Sequence, residues 1–269
     1  MNKNYFEIIR AGINSTFQDL GRNHLYHIGI PFSGAMDNRN YLLANKLTGN
    51  NHNDPVIEFA YQGPHLKYHG DKINIAITGD VSFKIKKGDN LIDGECYQSL
   101  ILENDDELDI LSTNKSVYGY LAISGTFDLK FQWSSCSTNT KAKIGSNNGE
   151  KLSDNQKINV KEINNNFMNR KLNYVNTKIE NIVDTNIRSE GLIKGVIQVP
   201  ADGNPIIMLS DHGTIGGYPK IGVVVSADYD KLVQLTPGSK VKFEEVDLNS
   251  AETLFKLYDL ETQNLISQI

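Results

Sequence analysis

The chain has 269 residues and a net charge of −5, with 39% hydrophobic and 22% charged side chains. That length suits one large domain or two tightly joined ones, and the composition supplies a sizeable core. The balance of 27 basic against 32 acidic residues offers no basic stripe for nucleic acid, and no run approaches the ~20 apolar residues that span a bilayer. Cys96 and Cys136 are far apart, outside any CxxC or Cys/His frame, so neither a disulfide framework nor a zinc site is expected. Glu7 and Arg10 interrupt the start before an apolar signal segment can form, and the expected compartment is the cytoplasm.

In chain order, Asp37 is placed to cap a helix over 39–47, with Tyr41, Leu42, Ala44 and Leu47 facing the core and Gly49 ending it. Residues 73–77 alternate as a strand with one solvated face would. Further strands are expected at 81–86, 99–102, 107–111 and 117–123, then at 196–199, 206–209, 221–226 and 240–246. Turn residues such as Gly88-Asp89-Asn90 and Asp202-Gly203-Asn204-Pro205 separate them. Asp228 is placed to cap a second helix over 229–235, and 251–258 predicts a C-terminal helix. Residues 134–186, rich in Asn, Lys and Ser, carry little apolar area, which predicts a poorly packed surface excursion or linker. Many short strands with few helices predict a mainly β chain built as a barrel or sandwich.

The densest chemistry lies in Asp211-His212-Gly213-Thr214-Ile215-Gly216-Gly217-Tyr218-Pro219-Lys220. Paired glycines let a ligand approach bare N–H groups, and Tyr218-Pro219 is a candidate cis bond. This stretch is either an oxyanion or carboxylate pocket with Lys220 as its charge, or a tight turn facing water. A second group runs from Gln18 and Asp19 to Arg22, then through Ser33 and Gly34 to Asp37. Arg22 offers a planar fork for a ligand carboxylate or for Asp19. Glu58, between Ile57 and Phe59, is either buried and paired or solvent-facing. The pairs His24/His27 and His65/His69 have no third ligand nearby, so no metal is expected. Residues 145–151 lack the glycine spacing and the Lys-Ser/Thr of a phosphate loop, leaving no self-contained ATP motif.

Several ordered strings carry a resemblance. They are Gly21-Arg22, Gly29-Ile30-Pro31, Ser33-Gly34-Ala35-Met36-Asp37, Ala44-Asn45-Lys46-Leu47, Glu58 and Gly63-Pro64. Much later come Ser189-Glu190-Gly191, Gly195-Val196-Ile197-Gln198-Val199-Pro200, Asp211, Thr214 and Gly216-Gly217-Tyr218-Pro219-Lys220. Together they resemble the family of C-type 5-oxoprolinase subunits, also described as biotin-dependent carboxyltransferase-like or allophanate hydrolase subunit 2-like. The resemblance implies a cyclophilin-like β-barrel architecture over 1–269, often paired barrels with a few short helices. It implies ATP-dependent opening of 5-oxoproline to L-glutamate beside a B-type, kinase inhibitor-like subunit and a third, A-type subunit. Alternatively it implies the carboxyltransferase component of a biotin-dependent urea or amide carboxylase, with biotin on a separate protein because no Ala-Met-Lys-Met site is present.

On this reading Asp19, Arg22, Asp211 and Lys220 are the catalytic candidates. Gln18, Ser33, Gly34, Glu58, Gln198, Thr214, Gly216, Gly217 and Tyr218 would line the substrate site. Arg22 and Lys220 are expected to open into one cleft for a small anion. The chain departs from the family at Ser134-Ser135-Cys136-Ser137-Thr138, where an arginine is usual, and at Glu150-Lys151, where Gly-Arg is usual. Those departures leave a third reading, a non-catalytic binding partner of the kinase inhibitor-like subunit.

Overall fold

The computed structural model describes residues 4–164, 169–172, 190–200 and 202–269. The N-terminal part contains β1 (Tyr5–Arg10), β2 (Thr16–Gln18), α1 (Asn38–Thr48), β3 (Val56–Ala60), β4 (His65–His69), β5 (Ile73–Thr78) and β6 (Val81–Lys87). It continues with β7 (Asn90–Asp93), β8 (Ser99–Leu102), β9 (Glu107–Thr113), β10 (Tyr118–Ile123), β11 (Gly125–Phe127) and β12 (Lys157–Ile163). The C-terminal part contains β13 (Glu190–Gly191), β14 (Val196–Gln198), β15 (Ile206–Ile207), β16 (Ile215–Gly216), β17 (Lys220–Val223), α2 (Ser226–Val233) and α3 (Leu248–Ser267).

Two antiparallel sheets share one apolar core. The seven-stranded sheet runs β11-β12-β1-β4-β9-β6-β7 and the five-stranded sheet β2-β3-β10-β5-β8. In β1, β4, β6 and β9 buried and half-buried residues alternate, as a sheet with one wet face requires. Phe6, Ile8, Leu66 and Phe83 of the larger sheet meet Phe17, Ile57, Phe59, Ile75 and Leu121 of the smaller one.

The smaller sheet is buried on both faces, because α1 lies across its outer side through Tyr41 and Ala44 against Val56, Tyr120 and Ala122. This corrects the expectation for 73–77: every residue of β5 is buried, the polar Asn74 included. The helix itself starts and stops as its caps dictate. Asp37 accepts from the Asn40 N–H, and Gly49 closes the helix in a left-handed conformation.

The C-terminal third departs further from its sequence pattern. Residues 240–246 form no strand; only Phe243 makes a single bridge. The strand expected at 206–209 shrinks to two residues, and Ser226 opens α2 instead of ending a strand. Asp228 is not the cap of α2: Val225 occupies that position with no side-chain bond, and Asp228 sits in the first turn beside Lys231. The Tyr218–Pro219 bond is trans. The C-terminal helix extends over 20 residues behind an Asp247 cap. Among the described residues no helix is long and apolar enough to cross a membrane.

The surface-excursion expectation fails for the start of 134–186. Ser135, Cys136, Ser137 and Ser146 are fully buried, and Thr138 and Asn139 nearly so. Hydrogen bonds, not apolar area, order this segment; it closes over the loop after β2, and composition is blind to such bonds. Residues 165–168 and 173–186 lie outside the described residues.

Candidate active site

The loops after β2 and before α1 meet the C-terminal third at a buried polar junction. Asp19 is fully buried there. Its carboxylate accepts from Gly21 N–H (2.8 Å), Ser135 Oγ (2.6 Å), Cys136 N–H (2.7 Å) and Ser137 Oγ (2.5 Å). Three donors converge on Oδ1 and one on Oδ2, which makes Asp19 a structural knot of this junction. Arg22 is spent only in part, because its Nη1 is buried without a hydrogen-bond partner. Its guanidinium, only 2% exposed, donates from Nη2 to Ser137 O (2.6 Å) and Ser135 O (3.4 Å) and from Nε to Gln132 O (3.2 Å). These donors point into the 132–137 segment, while Lys220 lies against Gly216 O. Burial lowers the Arg22 pKa, against the opposing fields of Asp19 and Asp211.

Asp211 is the carboxylate of this junction with acceptor capacity in hand. Its Oδ1 accepts from Asn139 Nδ2 at 3.2 Å. Asn139 cannot turn: its Oδ1 is held by the N–H groups of Lys141 (3.1 Å) and Ala142 (2.9 Å), which aims Nδ2 at Asp211 and at Ser33 Oγ (3.2 Å). Burial pushes the Asp211 carboxyl up to about 6, while Lys141 and Arg22 pull it down. Ser33 is buried with a left-handed φ of 59°, and its N–H donates to Ser210 O, tying the two parts of the chain together. Gly34 has no room for a side chain, since a Cβ would stand 2.9 Å from the Gly21 nitrogen.

Glu58, on β3, is buried and paired. It accepts from Met36 N–H (2.7 Å) and from the Tyr120 hydroxyl, which itself accepts from Asp37 N–H (2.7 Å). Burial raises its carboxyl to about 8, so it is protonated at neutral pH. Asp37 is also raised by burial and by Asp230 nearby, against the pull of its bonds to Asn40 and Gln234. Gln234 stitches the junction, donating to Asp37 Oδ2 and accepting from Val117 and Tyr118 N–H.

The remaining candidates form a second cluster. Gln198 donates to Tyr218 O (3.1 Å), and a Cβ on Gly216 would collide with the Gln198 amide at 2.6 Å. Lys220 Nζ lies 3.4 Å from Gly216 O. Thr214 accepts from Leu192 N–H through its backbone, and Gly217 and Tyr218 are exposed. Gln18 sits apart from these, in the first cluster, donating to Thr138 O and Thr16 Oγ1. Residues 145–151 brace the first cluster, with Gly145 N–H donating to Gln132 Oε1. Sequence reasoning missed Asn139, Tyr120 and Lys194, and gave His212 no role of its own. His212 stacks on Tyr26, with its Nε2 3.3 Å from the tyrosine hydroxyl. The one local signal for Lys194 was a lone charge in the apolar run from Leu192 to Val199.

The profile described as Carboxyltransferase domain, subdomain A and B, matches residues 28–185 and 173–245. The chain belongs to this carboxyltransferase-domain family. A relative in it, the C-type 5-oxoprolinase subunit of Haemophilus influenzae, is 30% identical over 92% of this chain and 93% of its own. The C-type 5-oxoprolinase subunit of Escherichia coli is 27% identical over 91% of this chain and 92% of its own. A urea amidolyase of Lachancea kluyveri is 34% identical over 55% of this chain but 8% of its own. In three dimensions the carboxyltransferase-domain fold extends to the Kluyveromyces lactis urea amidolyase, with a TM-score of 0.86 and 21% identity. That match covers 98% of this chain and 20% of the other.

Proposed function

We propose that the chain is a subunit of an ATP-dependent 5-oxoprolinase that opens 5-oxoproline to L-glutamate beside a B-type, kinase inhibitor-like subunit and an A-type subunit. The observation that carries this reading is the match to the C-type 5-oxoprolinase subunit of Haemophilus influenzae across nearly the full length of both chains. The junction supplies suitable chemistry. Asp211, ionised above about pH 6, takes the proton of an attacking water, and Glu58, protonated at neutral pH, is a resident acid. Water adds at the ring carbonyl, the carbon–nitrogen bond breaks, and the departing nitrogen takes a proton. The Gly216-Gly217 backbone and Lys220 form a polar edge for the substrate, with Gln198 and Thr214 behind it. ATP is a co-substrate of the assembled complex, and its terminal phosphoryl group passes to a second water, giving ADP and phosphate as the ring opens. The free thiols Cys96 and Cys136 accord with a cytoplasmic setting.

The decisive experiment purifies the native protein with its partners and assays ATP-dependent glutamate formation from 5-oxoproline. Turnover that disappears when this chain is left out supports the reading. A stable complex that forms no glutamate overturns it in favour of a non-catalytic partner. The fold match to a urea amidolyase favours a second reading, carboxyl transfer from a separately carried carboxybiotin; transfer to urea or an amide in the same preparation would select it.

A further inference from the structure

Among the described residues, Lys194 is a charge without a counter-charge in contact. Its backbone is rigid, because the next residue, Gly195, donates to Met208 O (2.7 Å) and accepts from Val224 N–H (2.9 Å), pinning the turn between neighbouring strands. The side chain leads inward, and Nζ stands 3.9 Å from the centroid of the buried Tyr229 ring. Three carboxyl groups project their fields onto it: Asp230, Asp37 and Glu58. Each already accepts hydrogen bonds from other groups. Asp230 Oδ2 accepts from Arg39 N–H (2.9 Å) and from the Tyr258 hydroxyl. Asp37 is held by Asn40 and Gln234, and Glu58 by Met36 and Tyr120. Among the described residues no ion pair or hydrogen bond to the Lys194 ammonium accompanies the cation–π contact.

An ammonium has three donors and is strongly hydrated in water. Held over an aromatic face without an acceptor, it lacks what a carboxylate supplies in one group: negative charge and lone pairs. Burial lowers the Lys194 pKa, which fits an ammonium waiting for an anion. The neighbourhood is the right one, since the hydroxyl of Tyr229 lies 3.3 Å from Ser210 Oγ and Ser210 precedes Asp211 in the chain. Lys220, by contrast, already has Gly216 O as an acceptor.

We propose that Lys194, seated on the Tyr229 ring, anchors the carboxylate of a small organic acid at the junction beside Asp211. The acid is 5-oxoproline, an identification that rests on the function proposed above. Its position would orient a cyclic amide acid by its charged end and leave the ring carbonyl for Asp211 and the glycine backbone.

The test uses the purified complex and two probes, 5-oxoproline and 2-pyrrolidinone, the same ring without the carboxylate. For K194M the expected result is a loss of at least about tenfold in affinity for 5-oxoproline by calorimetry. Weak 2-pyrrolidinone binding, read by ligand-observed NMR, stays unchanged, and K194R recovers part of the 5-oxoproline affinity. In turnover, KM for 5-oxoproline rises in K194M by a similar factor with kcat less affected. Equal 5-oxoproline affinity in K194M and the native complex overturns the anchor, as does equal loss for both probes. Failure of the native complex to bind 5-oxoproline also overturns it. Lys194-dependent binding without glutamate formation leaves the anchor standing and removes the proposed function; turnover with an unchanged KM in K194M does the reverse.

Discussion

The two-sheet body and the C-terminal third are held together by different physics. In the body, Ile8, Tyr68, Ile75, Ile77, Ile110 and Leu121 are fully buried in one continuous core. In the C-terminal third, Ile215 is 74% exposed, Leu248 75% and Leu260 60%, and the apolar contact with the body is a small cluster of Met36, Tyr229 and Val233. Named polar contacts make the attachment instead. Arg39 donates to Thr262 Oγ1 and Tyr258 O and lies 4.1 Å over the Tyr258 ring, Gln234 ties Asp37 to β10, and Ser33 reaches Ser210 O. The body is thus held through buried area, and the junction through directional bonds, where buried acids and a lysine on an aromatic face are tolerated.

Four measurements test that contrast. Phe59→Ala removes a ring that fills the space beside Gly63 and Gly119, and the expected loss by urea unfolding is about 3–5 kcal/mol. A loss confined to the C-terminal third would contradict a common core in the body.

Glu58→Gln tests the buried acid through pH. In the folded chain Glu58 stays protonated up to about 8, while in the unfolded chain it titrates at ~4.3. Between those values the unfolded state binds fewer protons than the native state, so stability falls as pH rises, and the loss is complete above about 8. Glutamine mimics the protonated shape. Its variant should therefore lose less stability between about pH 5 and about pH 8, by an amount on the order of a few kcal/mol. Parallel curves for the two proteins would show Glu58 ionised in the fold.

Arg39→Ala should loosen α3 without opening the sheets. Hydrogen exchange is expected to speed at α3 amides by the equivalent of about 1–2 kcal/mol and to stay unchanged in β5 and β10. Leu257→Ser, on the exposed side of α3, should shift stability by no more than about 0.5 kcal/mol. A larger loss would mean that the helix buries this face in the free chain.

Legibility followed the same divide. Asp37, Gly49 and the leucines between them wrote α1 into the chain, and the alternation at 81–86 and 107–111 wrote two strands of the larger sheet. Those signals are local and periodic. The pattern at 240–246 misled because alternation alone does not supply a paired neighbour, and only Phe243 is bridged there. At the candidate site Asp211 and Glu58 were visible as residue types, but for Arg22 the sequence offered only a ligand carboxylate or Asp19 as partners. Their partners, Ser135, Cys136 and Ser137, lie more than a hundred residues away in a stretch whose composition reads as loose.

By itself, the sequence determined the mainly β class, the capped helix, the kinship with the carboxyltransferase-domain family and which residue types stand at the junction. Those follow from side-chain chemistry and from spacing along the chain. The tertiary structure alone decided which charges are spent and which are available. A carboxylate ringed by four donors and an ammonium resting on an aromatic ring differ only in neighbours that the fold brings from distant segments.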